Sequence, residues 1–113
     1  MALFAMAVPI PGGNDDKWKA FIAQLTGPRK AEFDASRKKL GVRERTFHQH
    51  TPMGDFVIVT LEGNDPEGAF TRFGQGTDAF TQWFKAQVKE VHGVDLSGPP
   101  PGPLPKQIID SGA

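Results

Sequence analysis

His48 and His50 stand two residues apart in the stretch VRERTFHQHTPMGDFVIVTLEG, which begins at Val42. On a β-strand, residues i and i+2 point to the same face, roughly 7 Å apart along the chain. Two imidazoles so placed suit one of three roles. They could share a metal ion, which needs a third ligand from Glu44, Glu62, Asp55 or His92. They could act as general acid or base, because imidazole titrates near neutrality. They could simply be polar members of a half-buried face. No HExxH-type spacing is present, so no metal site is assigned. His48 and His50 are the candidate catalytic residues. Arg43 and Arg45 share the strand face opposite the histidines. Arg45 has the fork geometry to grip a carboxylate, or else it pairs at the surface with an acid such as Glu62 or Glu32. Phe80, Trp83 and Phe84 recur at helical spacing, as the wall of an aromatic pocket or as plain core. Arg45, Trp83 and Phe80 are the candidate substrate-binding residues. His92, just before Gly93, falls at a helix C-terminus, where the dipole favours its charged form.

Several chemistries lack their residues. The chain has no cysteine and no tyrosine, which removes thiolate nucleophiles, disulfides and a phenolic acid or base. There is no GxGxxG loop, P-loop or GxSxG elbow, and no cofactor is expected. The 113 residues carry 13 basic and 13 acidic side chains, a balance that argues against nucleic-acid binding. The local basic excess from Arg29 to Arg45 reads as a solvated helix face. The apolar N-terminus, MALFAMAVPIPGG, is too short to span a bilayer and lacks the basic start of a signal peptide. No membrane association is expected, and a cytoplasmic location is.

Residues 2–8 read as a buried strand, ended by Pro9, Pro11 and the following glycines. Asn14 or Asp15 caps a helix that places Trp18, Phe21, Ile22 and Leu25 on one face. Thr26-Gly27-Pro28 breaks it, and a mostly polar second segment runs to Leu40 with Gly41 as its cap. A hairpin follows with Pro52-Met53-Gly54 as its tip. Asp65-Pro66-Glu67 opens a short helix, and a last helix runs from Thr77 or Asp78 to about His92. Residues 97–105, SGPPPGPLP, hold five of the ten prolines and form a stiff arm laid over the surface. Residues 106–110 supply a short last strand. One domain over residues 1–113 is expected.

With a three-residue tip, Thr51 faces Asp55, His50 faces Phe56 and His48 faces Ile58. Glu44, Thr46, His48, His50, Phe56, Ile58 and Thr60 then share one face, and Phe47, Val57, Val59 and Leu61 the other, which is assigned to the helices. Strand 56–61 is apolar on both faces, and helices cover only one. A wet second face would expose an apolar patch larger than most monomers tolerate, so a symmetric homodimer is expected.

This β–α–β–β–α–β order describes an α+β, ferredoxin-like domain: a four-stranded antiparallel sheet with helices on one face. Order, length and the doubly apolar sheet resemble the dimeric α+β barrel superfamily, which joins two such subunits sheet to sheet. Antibiotic-biosynthesis monooxygenases and small isomerases belong to it. TPMGDFVIVTLEGNDPEGAF and WFKAQVKEVHGVDLSGPPPGP resemble an uncharacterised bacterial family within it. The resemblance carries no catalytic residue, and the proline-rich arm departs from the minimal barrel. It implies a small organic ligand between sheet and helices. If the chain is an enzyme, the reaction is cofactor-independent proton transfer or ring oxygenation, with His48 or His50 as base and Arg45 or Trp83 positioning the substrate. A non-catalytic ligand-binding or accessory protein with structural histidines, and a metal-binding protein, are the alternatives.

Overall fold

The structure is a computed structural model that describes residues 2–100 and 104–112. Residues 101–103 of the proline-rich run lie outside the described residues, as do the two terminal residues. In chain order the elements are β1 (Ala2–Ile10), α1 (Asp15–Thr26), α2 (Lys30–Leu40), β2 (Val42–Thr51), β3 (Gly54–Gly63), α3 (Pro66–Gly74) and α4 (Ala79–His92). The strands form an antiparallel sheet in the order β1-β3-β2.

The helices start and stop where local chemistry dictates. Asp65 accepts from the backbone N–H of Gly68 at 3.1 Å, with Pro66 in the first turn of α3. Asp78 accepts from Thr81 N at 3.1 Å and from its hydroxyl at 2.7 Å, capping α4 and holding the Asp78 carboxyl below its ordinary range. Gly41 and Gly93 close α2 and α4 in the left-handed conformation (φ +75 and +73) that a side chain would disfavour. Asn14 precedes α1 but makes no cap. Its Nδ2 instead donates to Val91 O at 2.9 Å, tying the start of α1 to the end of α4.

Three expectations are corrected. The sheet has three strands among the described residues, because Lys106–Asp110 makes no ladder. Ile108 and Ile109 are 86 % and 81 % exposed. The proline-rich run before this segment lacks the N–H donors a ladder needs, and the segment does not return to the sheet. Second, β1 runs through Pro9, which pairs with Phe56. It is an edge strand, where a missing donor on the outer side costs no ladder bond.

Third, the hairpin register differs by one residue. Thr51 pairs with Gly54, His50 with Asp55 and His48 with Val57, so the loop is the two residues Pro52-Met53. The Thr51 hydroxyl accepts from Met53 N at 3.2 Å, and Gly54 (φ +124) takes the backbone angle that ends the turn. A one-residue slip exchanges faces. The histidines therefore share a face with Val57, Val59 and Leu61. The opposite face carries Leu3, Phe47, Phe56 and Ile58.

The core is in two parts. Phe21, Phe73, Phe80, Phe84, Val88 and Val91 pack the helices against one another. Phe4, Val42, Leu61 and Ala69 form a smaller cluster where α3 meets the sheet. Leu40 touches both clusters. The helical layer thus closes largely on itself and leaves space against the sheet.

Candidate functional site

That space is a cavity of about 590 Å³. Its floor is the helix-side face of the sheet, including Phe4, Met6, Val57 and Val59, and its roof is drawn from α1 and α4 through Trp18, Phe21, Phe84 and Val88. Leu96, Pro99, Leu104 and Pro105 bring the described part of the proline-rich arm to its wall. The described residues of the arm are exposed, and those named also border the cavity.

Few polar side chains interrupt this lining. Arg37 and Glu44 are the most heavily desolvated, each with 9 % of its side chain exposed. Arg37 Nε donates to Glu44 Oε1 at 2.7 Å, and Nη1 donates to Ser36 Oγ at 3.0 Å. The rest of the guanidinium fork is without a partner among the described residues. Its carbon lies 4.7, 4.4 and 4.8 Å from the ring centres of Phe33, Phe73 and Phe84. Glu44 Oε2 accepts from Thr46 Oγ1 at 2.9 Å. A charged pair survives burial only with close geometry and further hydrogen bonds. Here the contact is close and both Glu44 oxygens are paired, while one edge of the Arg37 fork is left over. Arg37 thus leaves the solvated basic face expected for its segment.

His92 also lines the cavity. Its Nδ1 lies 2.9 Å from Pro9 O. A carbonyl only accepts, so Nδ1 carries the proton and a neutral ring keeps its lone pair on Nε2. Burial pushes the His92 pKa below 6.5 and outweighs the opposing Pro9 hydrogen bond. The expectation of a favoured positive form at the helix end is therefore corrected: desolvation of the charge exceeds the pull of the dipole.

His48 and His50 meet on one carboxylate at the hairpin end of the same sheet face. His48 Nε2 lies 2.9 Å from Asp55 Oδ2, and His50 Nδ1 lies 2.5 Å from Oδ1. These hydrogen bonds, that of His48 first, hold the Asp55 carboxyl below its ordinary range. An ionised carboxylate only accepts, so both rings donate, which fixes their tautomers. Neither histidine lines the cavity. The His48 ring lies 4.5 Å from the Trp18 ring, centre to centre, and Trp18 does line the cavity. One aromatic ring therefore separates the imidazole–carboxylate cluster from the internal space. The Trp18 Nε1–H is buried with no hydrogen-bond partner among the described residues, and such a donor costs about 1–3 kcal/mol.

The other sequence candidates sit elsewhere. Arg45 lies on the open sheet face and pairs with Glu62 at 3.2 Å. Phe80 and Trp83 belong to the helical cluster, and the Arg29 guanidinium carbon lies 4.1 Å from the centre of the Trp83 ring. None of the three lines the cavity. Asp55 joins the two histidines, but among the described residues no group of three His, Cys, Asp or Glu is arranged to hold a metal ion. Among the polar cavity residues, Arg37 and Thr46 were not singled out from sequence as site residues, Glu44 only as a possible metal ligand, and His92 as a possible metal ligand and a helix-end charge. An arginine on the same helical face as Phe33 and Leu40 in FDASRKKL, four residues after the one and three before the other, was the available signal.

Glu44→Ala leaves Arg37 buried and unpaired, and is expected to cost about 3–5 kcal/mol in denaturant unfolding, whereas Arg37→Met with Glu44→Met recovers most of that loss. His92 makes stability pH-dependent with a definite sign. Its folded pKa is lowered below 6.5, so the unfolded chain takes up a proton first as pH falls. Stability is complete above pH 6.5 and is lost as pH falls from there through the folded value. His92→Gln should flatten this part of the stability–pH curve. An unchanged slope would contradict a buried neutral ring.

Compared with protein-family models, with curated proteins and with solved structures, the chain matches none.

Proposed function

We propose that this chain is a small-molecule-binding protein that takes a compact, largely apolar organic ligand between sheet and helices, in a homodimer of the ferredoxin-like, dimeric α+β barrel kind. The observation that carries this reading is the cavity. Its volume of about 590 Å³ falls within the roughly 300–1,000 Å³ of small-molecule pockets. A domain of 113 residues loses packing by keeping such a space between its two core clusters. A bound molecule restores the lost contacts. An oxygen atom on it would also relieve the unpartnered Trp18 N–H and meet the free edge of the Arg37 fork.

The homodimer rests on the open sheet face. Phe47 and Leu3 are 53 % and 51 % exposed there, beside Phe56 and Ile58, and a second copy is the natural cover. The strand order β1-β3-β2 is that of a ferredoxin-like sheet without its last strand. The lack of cysteine fits a reducing, cytoplasmic setting.

A catalytic reading is favoured by one further observation. His92, held with its lone pair on Nε2 and kept neutral by burial, has the properties of a general base in the wall of a ligand site. The Asp55-bound histidines lie one ring further out. The reaction type would be proton transfer on the bound molecule, without a cofactor.

Thermal shift against small phenols and aromatic acids, 1-naphthol among them, tests the binding reading. A ligand present at about 100 times its Kd should add about 2.7 kcal/mol of stability and raise Tm by several degrees. Val59→Trp, which fills the cavity floor, should remove the shift while the variant still unfolds cooperatively. A shift that persists in Val59→Trp would place binding outside the cavity, and no shift across the panel would count against the reading. Size exclusion with light scattering should give twice the 12.3 kDa chain mass, and a monomer at micromolar concentration would sink the dimer.

A further inference from the structure

The two edges of the sheet are unlike. β2 carries Arg43, Glu44, Arg45, His48 and His50, and charges of that kind keep an edge strand from pairing with other chains. β1 reads ALFAMAVPI from Ala2 to Ile10, without one charge, and its outer side has no neighbouring strand. A long apolar edge of this sort is a template for an added strand. The chain also holds a free segment of matching character. Lys106–Asp110 reads KQIID, and Ile108 and Ile109 stand in water at 86 % and 81 % exposure.

We infer that residues 106–110 of one copy add as a fourth strand along β1 of a second copy, and reciprocally. This rests on the homodimer proposed above and names the contact that closes it. The connection argues for exchange rather than return to the same sheet. α4 ends beside β1, with His92 Nδ1 2.9 Å from Pro9 O. A strand of the same chain, antiparallel to β1, would start there and need only a short turn. The chain instead places nine residues with five prolines, 97–105, before the segment. In the single copy Leu104 and Pro105 rest at the wall of its own cavity, so exchange requires the run to leave that wall. Fully extended, it reaches on the order of 30 Å at about 3.1 Å per residue, far enough to arrive at a neighbouring copy. Exchange buries Ile108 and Ile109, pairs the uncharged edge, and is closed under two-fold symmetry, so no open chain of copies results.

The absence of cysteine gives a clean background for the test. Ile108→Cys is mixed with separately purified Ala5→Cys or Ala7→Cys in a glutathione redox buffer, where oxidised glutathione takes up the two electrons and two protons released as the disulfide forms. Ala5 and Ala7 lie on β1, and neighbouring strands bring side chains within reach of a disulfide. Gln49→Cys on the β2 edge is the control. The expected result is a covalent mixed dimer with Ala5→Cys or Ala7→Cys, in at least tenfold excess over that with Gln49→Cys. Truncation after Pro105 should weaken the dimer at least tenfold by light scattering. A dimer that cross-links only at Gln49→Cys, or at none of the three, overturns the strand exchange and leaves the dimer standing. A chain carrying both Ala7→Cys and Ile108→Cys that cross-links only within itself also overturns it. A wild-type monomer overturns exchange and dimer together.

Discussion

A desolvated ion pair joins the helical layer to the sheet. Arg37 on α2 and Glu44 on β2 meet at 2.7 Å in the wall of an apolar cavity, with three phenylalanine rings around the guanidinium. The pair cannot collapse into hydrocarbon, because each charge needs the other and its hydrogen bonds. It therefore acts as a strut. The aromatic side chains of α1, α3 and α4 pack on each other above it, and the sheet keeps its own smaller cluster below. The cavity follows from that division. A tighter packing of helices on sheet would have to break the pair or carry it with the helices.

The three imidazoles sit in different surroundings. His92 is tied to the carbonyl of Pro9 and buried enough to stay neutral, so it contributes a lone pair to an apolar wall. His48 and His50 share Asp55 near the hairpin tip and stay wetter, His50 especially. The fold thus holds a half-buried neutral imidazole at the end of α4 and a more exposed pair on β2 oriented by a carboxylate. Environment rather than residue type separates their roles.

Local signals made most of the elements legible. Trp18, Phe21, Ile22 and Leu25 marked the apolar side of α1, Asp65-Pro66 and Asp78 marked two helix starts, and Gly41 and Gly93 marked two ends. The class was readable as α+β. The hairpin register was not read correctly, although a type I turn favours Pro at its second position and Gly at its fourth. Thr51-Pro52-Met53-Gly54 fits that pattern and gives the observed two-residue loop. Missing it sent His48 and His50 to the wrong face. Arg37 escaped notice because only Phe33 of its three rings lies on its own helix; Phe73 and Phe84 come from α3 and α4, which the periodicity of α2 does not display. Phe80 and Trp83 were ambiguous between pocket and core for the same reason, and the tertiary packing decided for core. The unpaired segment 106–110 has the composition of a strand, but pairing depends on what lies beside it.

The most direct test of the account is where an apolar molecule enters the protein. Methyl chemical shifts followed during titration with 1-naphthol give the answer residue by residue. The account predicts perturbation of Leu40, Val57, Val59, Leu61 and Val88 around the cavity, with Leu3 and Ile58 on the open sheet face unmoved. Shifts confined to Leu3 and Ile58, with the cavity methyls silent, would contradict it.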